Sequence, residues 1–194
     1  MRLILTRHGE TIENRDGILQ GHLPGKLSKT GIQQAKKLAF KLKDEKIDSI
    51  YSSDLARAVD TTKEIAKYHP NIPINFVVEL RELDLGGLTG KSINDIDYTA
   101  LPKDIETRES MRKRLKEFLF RIYSENSDKS VLFVGHNGTN LALISIILDK
   151  HIDFINELEP QHNTAINVFE IRENNNNVVH LMNCIKHLEL PEYS

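Results

Sequence analysis

The sequence predicts an α/β fold of three layers, α/β/α, in which a mostly parallel sheet carries helices on both faces. Short apolar runs alternate with amphipathic helical patterns along most of the chain. Residues 131–134 are apolar throughout, as expected for a strand that is buried on both faces. The chain has 194 residues, of which 39% are hydrophobic and 28% charged. That size and composition predict one globular domain over residues 1–194.

The first half of the chain alternates between strand and helix patterns. The apolar residues 3–5 predict a buried strand that ends at Gly9. Ser28 can cap a helix over about residues 30–45, where apolar residues recur at helical spacing. A strand is predicted at residues 47–51, and an amphipathic helix at 55–66 ends before a proline. A β-branched run follows at 74–78.

The second half continues the alternation after an interruption. Residues 91–106 contain Pro102 and have no sustained period, so we expect a small irregular insert that acts as a lid. Apolar residues from Met111 to Ile122 then follow one face of a helix. A buried strand is predicted at residues 131–134 and a buried helix at about 139–148. Residues 164–171 and 178–184 then form a predicted hairpin around an asparagine tract.

Composition excludes several classes of partner. The 26 Lys and Arg residues nearly balance 28 Asp and Glu residues, and both signs are spread along the chain, so no surface for nucleic acid or an anionic membrane is expected. Cys184 is the only cysteine, which rules out an intramolecular disulfide and a thiolate zinc cluster. The apolar opening at residues 1–5 is too short for a signal sequence or a membrane span. We expect a cytoplasmic protein, either a monomer or a homodimer.

Cationic side chains follow the predicted strands at one edge of the sheet. Arg7 and His8 come directly after the first strand, and His136 follows the strand at 131–134. Arg57 lies in the first turn of the helix after the second strand. Ligands bind at the carboxyl ends of strands in open α/β sheets, so these four side chains are expected to converge. Two guanidiniums and two imidazoles predict a site for a dianion such as a phosphoryl group.

The same site predicts phosphoryl transfer to an imidazole. An imidazole without a metal can attack phosphorus, because catalysis of this reaction depends on positioning and on neutralising the phosphoryl oxygens. A leaving alkoxide also needs a proton, which requires a carboxylic acid in the same pocket. Glu82 is the best candidate because it follows the third strand and precedes Gly86 and Gly87. Nearby carboxylates that remain as alternatives are Glu10, Glu79 and Asp84.

Four blocks of sequence, in this order, resemble the histidine phosphatase superfamily, also called the phosphoglycerate mutase-like fold. They are Leu5-Thr6-Arg7-His8-Gly9-Glu10-Thr11 with Asn14, Tyr51-Ser52-Ser53-Asp54-Leu55-Ala56-Arg57-Ala58 with Thr61, Leu80-Arg81-Glu82 through Gly90, and Val134-Gly135-His136-Asn137-Gly138-Thr139. The resemblance implies that His8 is the nucleophile and Glu82 the proton donor. It further implies that a small phosphorylated substrate is bound without metal or cofactor by Arg7, Asn14, Gln20, Gly21, Arg57, His136 and Asn137.

Departures from the family pattern favour a phosphatase over a mutase. In the bisphosphoglycerate-dependent mutases, a longer insert supplies paired arginines that clamp a second anionic group. Residues 91–106 contain no arginine, and Leu85 stands where those mutases have a tyrosine. Such a site holds a bisphosphorylated intermediate poorly, so water is expected to accept the phosphoryl group. The mutase and a non-catalytic module that binds a phosphorylated ligand are the alternatives.

Two other readings of the sequence are weaker. Residues 86–92 resemble a nucleotide-binding P-loop, but Leu85 occupies the place of its first glycine. His8 with Glu10, or His136 with His162, could be proposed as metal ligands, yet the neighbouring arginines would repel a cation. Neither a P-loop nor a metal site is therefore expected.

Overall fold

The computed structural model describes residues 1–189, and six strands form one sheet within them. The strands are β1 (Arg2–Arg7), β2 (Ser49–Ser53), β3 (Ile74–Val77), β4 (Ser130–Gly135), β5 (Ile166–Glu170) and β6 (Val178–Cys184). Their order across the sheet is β3-β2-β4-β1-β5-β6. The α-helices are α1 (Ile12–Arg15), α2 (Lys29–Leu42), α3 (Ala56–Ala66), α4 (Arg108–Glu125) and α5 (Asn137–Ile147).

The centre of the sheet is parallel and one side is antiparallel. β1 pairs with β4, β4 with β2, and β2 with β3, all in parallel, whereas β5 is antiparallel to β1 and β6 to β5. In the β1–β4 register Arg7 lies opposite Gly135, so both strands end at the same level. The predicted, mostly parallel sheet is confirmed, and it brings the ends of β1, β4 and β2 to one edge.

Helices cover both faces of the sheet, which confirms the three layers. Leu3 and Leu5 belong to a core formed with α4 and α5, whereas Ile4 belongs to a second core formed with α2 and α3. Alternate residues of one strand thus face opposite helical layers, as strand geometry requires. The burial of β1 and β4 on both faces explains why their sequences are apolar runs rather than alternating patterns.

Most predicted elements are confirmed, with differences at their ends. The predicted helix 30–45 begins at Lys29, where the Ser28 side chain accepts from the Gly31 N–H, and ends at Leu42. The helix predicted at 139–148 begins two residues earlier because His136, in extended conformation, is its N-cap. The hairpin turns at Asn175, whose φ is +59°. The sequence did not predict α1, which is four residues long and too short to show a period.

The third strand, predicted at 74–78, is an edge strand with exposed residues. It ends at Val77, and a 3-10 turn over Val78–Leu80 then leads the chain toward Glu82. The insert at 91–106 is irregular as predicted, with one 3-10 turn at Ile93–Asp95. Its action as a lid and the single-domain organisation stay predictions. Within residues 1–189, no helix is both long and apolar enough to cross a membrane.

Candidate active site

The carboxyl edge of the sheet opens into a cavity of about 250 Å³. Every predicted site residue except His136 is part of its lining. The lining residues are Arg7, His8, Asn14, Ile18, Leu19, Gln20, Gly21, Arg57, Glu82, Leu83, Leu85, Asn137 and Gly138. His136 lies against His8, with 5.1 Å between the ring centroids. The structure therefore brings together all of the side chains that the sequence placed at one site.

His8 is held in one tautomer. Its Nδ1 lies 2.7 Å from the Gly9 carbonyl oxygen, and because a carbonyl can only accept, Nδ1 carries the hydrogen. Burial, with the nearby charges of Arg57 and Arg7, holds the pKa of His8 well below its usual value of 6.5. The imidazole is therefore neutral at pH 7, and Nε2 keeps a free lone pair. That is the form of histidine that can act as a nucleophile.

His136 is held in the opposite tautomer by Arg57. The Arg57 Nε donates to His136 Nδ1 over 3.2 Å, so Nδ1 must accept and the hydrogen of the neutral ring lies on Nε2. Burial is the main cause, followed by the Arg57 charge, of a His136 pKa that lies well below 6.5. His136 Nε2 is buried and has no hydrogen-bond partner among residues 1–189. A buried N–H without a partner is costly, and a bound oxyanion would satisfy it.

Arg57 is a fixed cation. It is 1% exposed, and its terminal nitrogens donate to the carbonyl oxygens of Gly21, at 2.9 Å, and Leu23. Gly21 has a φ of +46°, a backbone conformation that glycine adopts readily. Burial lowers the pKa of Arg57 to about 10, which still leaves the guanidinium charged at neutral pH. The loop at Gly21 therefore positions a cation as well as lining the cavity.

Arg7 is anchored by Gln161, which lies 154 residues later in the chain. Its Nη1 donates to the carbonyl of Gln161 over 2.6 Å. Its Nε is buried and has no hydrogen-bond partner among residues 1–189. Burial lowers the pKa of this guanidinium too, with Glu82 opposing the shift. Arg7 Nε and His136 Nε2 are thus two buried donors at the same site without a partner in the described chain.

The Glu82 carboxyl group lies at the start of α5. Oε2 accepts from the Gly138 N–H at 3.0 Å, and Oε1 accepts from the N–H groups of Leu83 at 3.0 Å and Thr139 at 3.1 Å. A Cβ on residue 138 would lie 2.7 Å from Oε1, so a side chain there would displace the Glu82 carboxyl group from this position. His22 Nε2 donates to the Glu82 carbonyl at 2.9 Å. These contacts fix both the backbone and the carboxyl group of Glu82.

The alternative carboxylates are engaged elsewhere. Glu10 accepts from the Ser28 hydroxyl, Glu79 pairs with Arg121 at 2.8 Å, and Asp84 accepts from the Gly86 N–H. Among the described residues that line the cavity, Glu82 is the only acidic one.

A buried amide network behind Arg7 was not predicted from the sequence. Asn167 Nδ2 donates to the Gln161 side-chain oxygen at 2.7 Å and to the Leu5 carbonyl at 3.1 Å, while its Oδ1 accepts from Asn183 N–H at 2.8 Å. Gln161 N–H in turn donates to Asn137 Oδ1 at 2.8 Å. The network thus holds the carbonyl that anchors Arg7. Its signal in the sequence is an asparagine inside the strand pattern 164–171, a position that otherwise favours apolar residues.

The segment that leads into β5 supports the nucleophile loop. Asn163 Nδ2 donates to the His8 carbonyl at 3.0 Å, and Thr164 N–H donates to the Arg7 carbonyl at 3.1 Å. Thr164 has a φ of +59°, which is unusual for a β-branched residue. No functional role was predicted from the sequence for residues 163–165. The structure places them directly beneath the backbone of His8.

Replacing Asn167 with leucine is expected to weaken phosphate binding while the protein still folds. The variant removes the hydrogen bond from Asn167 to the Gln161 side-chain oxygen and keeps the one from Gln161 N–H to Asn137, so the carbonyl that anchors Arg7 is held less firmly. We expect the Ki of inorganic phosphate to rise by about tenfold, the effect of one charge-assisted hydrogen bond. Competition by phosphate against a chromogenic substrate measures this Ki, and thermal unfolding monitors stability.

Asn126→Leu is the matched control. Asn126 is also buried and donates to a backbone carbonyl, Ile122, but it lies at the end of α4. We expect this variant to lose stability and to keep the Ki of phosphate. An equal rise of Ki in both variants, or no rise in Asn167→Leu, would contradict the positioning role.

Two guanidiniums, two imidazoles and one carboxyl group at the carboxyl edge of a mostly parallel sheet are typical of the phosphoglycerate mutase-like class of proteins. The sequence pattern of the histidine phosphatase superfamily (branch 1) matches residues 3–184. The chain therefore belongs to this superfamily. Among residues 1–189, no group of three or more His, Cys, Asp or Glu side chains is placed to hold a metal ion.

Known proteins of this class are similar over most of the chain. Phosphoglycerate mutase-like protein 4 of Arabidopsis thaliana is 29% identical over 96% of this chain and 86% of its own. A metal-independent phosphoserine phosphatase of the same plant is 31% identical over 73% of this chain and 66% of its own. The structure of Bacillus stearothermophilus YhfR superposes with a TM-score of 0.89 at 25% identity, covering 96% of this chain and 98% of that one.

Proposed function

We propose that the protein is a metal-independent phosphatase that hydrolyses a small phosphomonoester through a phosphohistidine on His8. The observation that carries the proposal is the His8 tautomer. Its Nδ1 donates to Gly9, which leaves the Nε2 lone pair for attack on phosphorus. The phosphatases among the chain's relatives support this class of reaction.

The proposed reaction has two half-reactions. His8 Nε2 forms a bond to phosphorus while the bond to the ester oxygen breaks and Glu82 gives that oxygen a proton. Glu82 then takes a proton from water as the water oxygen attacks phosphorus, and the N–P bond breaks to release phosphate. Oε2 is the oxygen with room for the proton, because it accepts one hydrogen bond while Oε1 accepts several.

The remaining residues would bind the phosphoryl oxygens. Arg7 and Arg57 supply positive charge, and the unpartnered Arg7 Nε and His136 Nε2 supply buried N–H donors. Such fixed donors stabilise the charge of the transferring group without reorganising during the reaction. Asn14, Gln20 and Asn137 line the same cavity and are proposed to contact substrate or the attacking water. We propose a small-molecule partner only, with no cofactor, nucleic acid or membrane, for a cytoplasmic monomer or homodimer.

Hydrolysis of p-nitrophenyl phosphate in the presence of EDTA tests the proposal. We expect release of nitrophenol that EDTA does not inhibit, because the two arginines take the place of a metal. Loss of activity with EDTA that added metal restores would contradict the metal-independent mechanism. Inactivity from about pH 4 to 9, a range that covers the common catalytic acids and bases, would contradict a phosphatase.

The mutase alternative has its own assay. A mutase would interconvert phosphoglycerates when 3-phosphoglycerate is supplied with a trace of bisphosphoglycerate, and would release little phosphate. A module that only binds a phosphorylated ligand would do neither, although phosphate would still bind.

A further inference from the structure

The cavity has an apolar wall in addition to its cationic residues. Four aliphatic side chains that are each partly exposed form it: Ile18, Leu19, Leu83 and Leu85. The loop that carries two of them is fixed, since Leu19 N–H donates to the Lys91 carbonyl at 2.9 Å and Ile18 pairs with Ser92. The wall is therefore a built part of the cavity that no step of the proposed reaction uses.

The cavity offers no spare positive charge for a second anionic group. Within residues 1–189, its only basic side chains besides the histidines are Arg7 and Arg57. Arg57 is tied to backbone carbonyls and Arg7 to the Gln161 carbonyl, so neither can turn toward another part of the substrate.

Two arginines next to Glu82, one its neighbour in the sequence and one bonded to its carbonyl, are each paired with a carboxylate. Arg81 forms a paired contact with Asp54, with Nε at 2.7 Å from Oδ1. Arg114 pairs with Glu106 at 2.8 Å from Nε to Oε1. Within the described lining, a carboxylate on the substrate would thus lose water without gaining a cation other than Arg7 and Arg57, which is unfavourable.

We infer that the wall formed by Ile18, Leu19, Leu83 and Leu85 selects phosphomonoesters whose alcohol is uncharged and apolar and disfavours those that carry a carboxylate. This inference rests on the proposed function, since the alcohol is the leaving group of that reaction. The wall would cover the apolar part of the alcohol and remove both surfaces from water. Phosphoserine carries a carboxylate, so this preference would distinguish the chain from its relative, the phosphoserine phosphatase of Arabidopsis thaliana.

A matched pair of substrates tests the preference. Hexyl phosphate and the phosphate ester of ω-hydroxyhexanoate have the same chain length and the same primary alkoxide leaving group, and differ only in the terminal carboxylate. We expect kcat/KM to be about 10- to 100-fold higher for hexyl phosphate, the range that pocket contacts of this kind provide. Phosphate release measures both reactions.

A lysine in the wall should shift the preference. Leu85→Lys adds a cation to the apolar wall, and we expect the ratio of the two kcat/KM values to fall by about tenfold through attraction to the carboxylate. Leu181→Lys adds the same charge on β6, at a residue that is 37% exposed and outside the cavity. That control should keep the wild-type ratio.

Binding without turnover separates this inference from the proposed function. Hexylphosphonate and its ω-carboxyl counterpart cannot be hydrolysed, and calorimetry compares their affinities for the wild type. If no ester is hydrolysed but hexylphosphonate binds at least tenfold more tightly, the proposed function fails and the apolar selection stands. If esters are hydrolysed but the carboxylate member is preferred, or if Leu181→Lys shifts the ratio as much as Leu85→Lys, the apolar selection is wrong.

Discussion

His8→Ala is expected to abolish turnover and the phosphoenzyme together. Removing the imidazole removes the only atom proposed to bond phosphorus, and loss of a covalent nucleophile lowers kcat by at least about 10⁴-fold. Rapid acid-free quenching after mixing with ³²P-labelled substrate should detect an acid-labile phosphoenzyme in the wild type and none in the variant. Steady-state phosphate release gives the change in kcat.

A second buried histidine provides the control for this variant. His69 lies after α3, with Nε2 at 3.0 Å from the Leu42 carbonyl and outside the cavity. We expect His69→Ala to keep both turnover and the phosphoenzyme, whatever stability it loses. A labelled, acid-labile phosphoenzyme in His8→Ala would place the nucleophile on another residue.

Glu82→Gln is expected to slow poor leaving groups far more than good ones. An alkoxide cannot leave without a proton, so hydrolysis of an alkyl phosphate should fall by about 10² to 10⁴-fold. Nitrophenolate is stable as an anion, so transfer from p-nitrophenyl phosphate to His8 should be largely spared. Pre-steady-state bursts measure this first transfer separately from the later attack of water.

Glu82→Gln also changes the hydrogen bonds that the side chain of residue 82 accepts. Glutamine keeps the size of glutamate, but either orientation of its amide turns an NH₂ toward a backbone N–H of Leu83, Gly138 or Thr139. Thermal unfolding should therefore accompany the kinetics. Glu79→Gln, which loses only an exposed pair with Arg121, is the matched control and should retain both activities. Equal losses on both substrates in Glu82→Gln would argue against an acid role.

The order of strands and helices was predictable because each element carries its own period or apolar run. Helix α4 repeats apolar residues along one face, and β4 is apolar throughout because helices bury both its sides. Elements without such a signal were predicted less well. The β-branched run at 74–78 predicted the strand but not its exposure, because β3 lies at the edge of the sheet, where tertiary position rather than composition decides exposure.

The cavity itself was predictable for a topological reason. His8, Arg57 and His136 each follow a strand of the parallel part of the sheet, and parallel strands end at the same edge. The residues that support the cavity were not predictable from the sequence. Gln161 and Asn167 come from the antiparallel side of the sheet and are far from Arg7 in the chain. Only a structure reveals that an amide in β5 holds an arginine at the end of β1.

The position of β1 has a consequence for synthesis of the chain. β1 is the first strand to be made, yet it lies in the middle of the sheet between β4 and β5, which begin at residues 130 and 166. A nascent chain emerging from the ribosome therefore exposes an unpaired apolar strand until these distant partners have been translated. Pairing of β1 must wait for them, so the catalytic edge cannot assemble until residues 130–135 have been made.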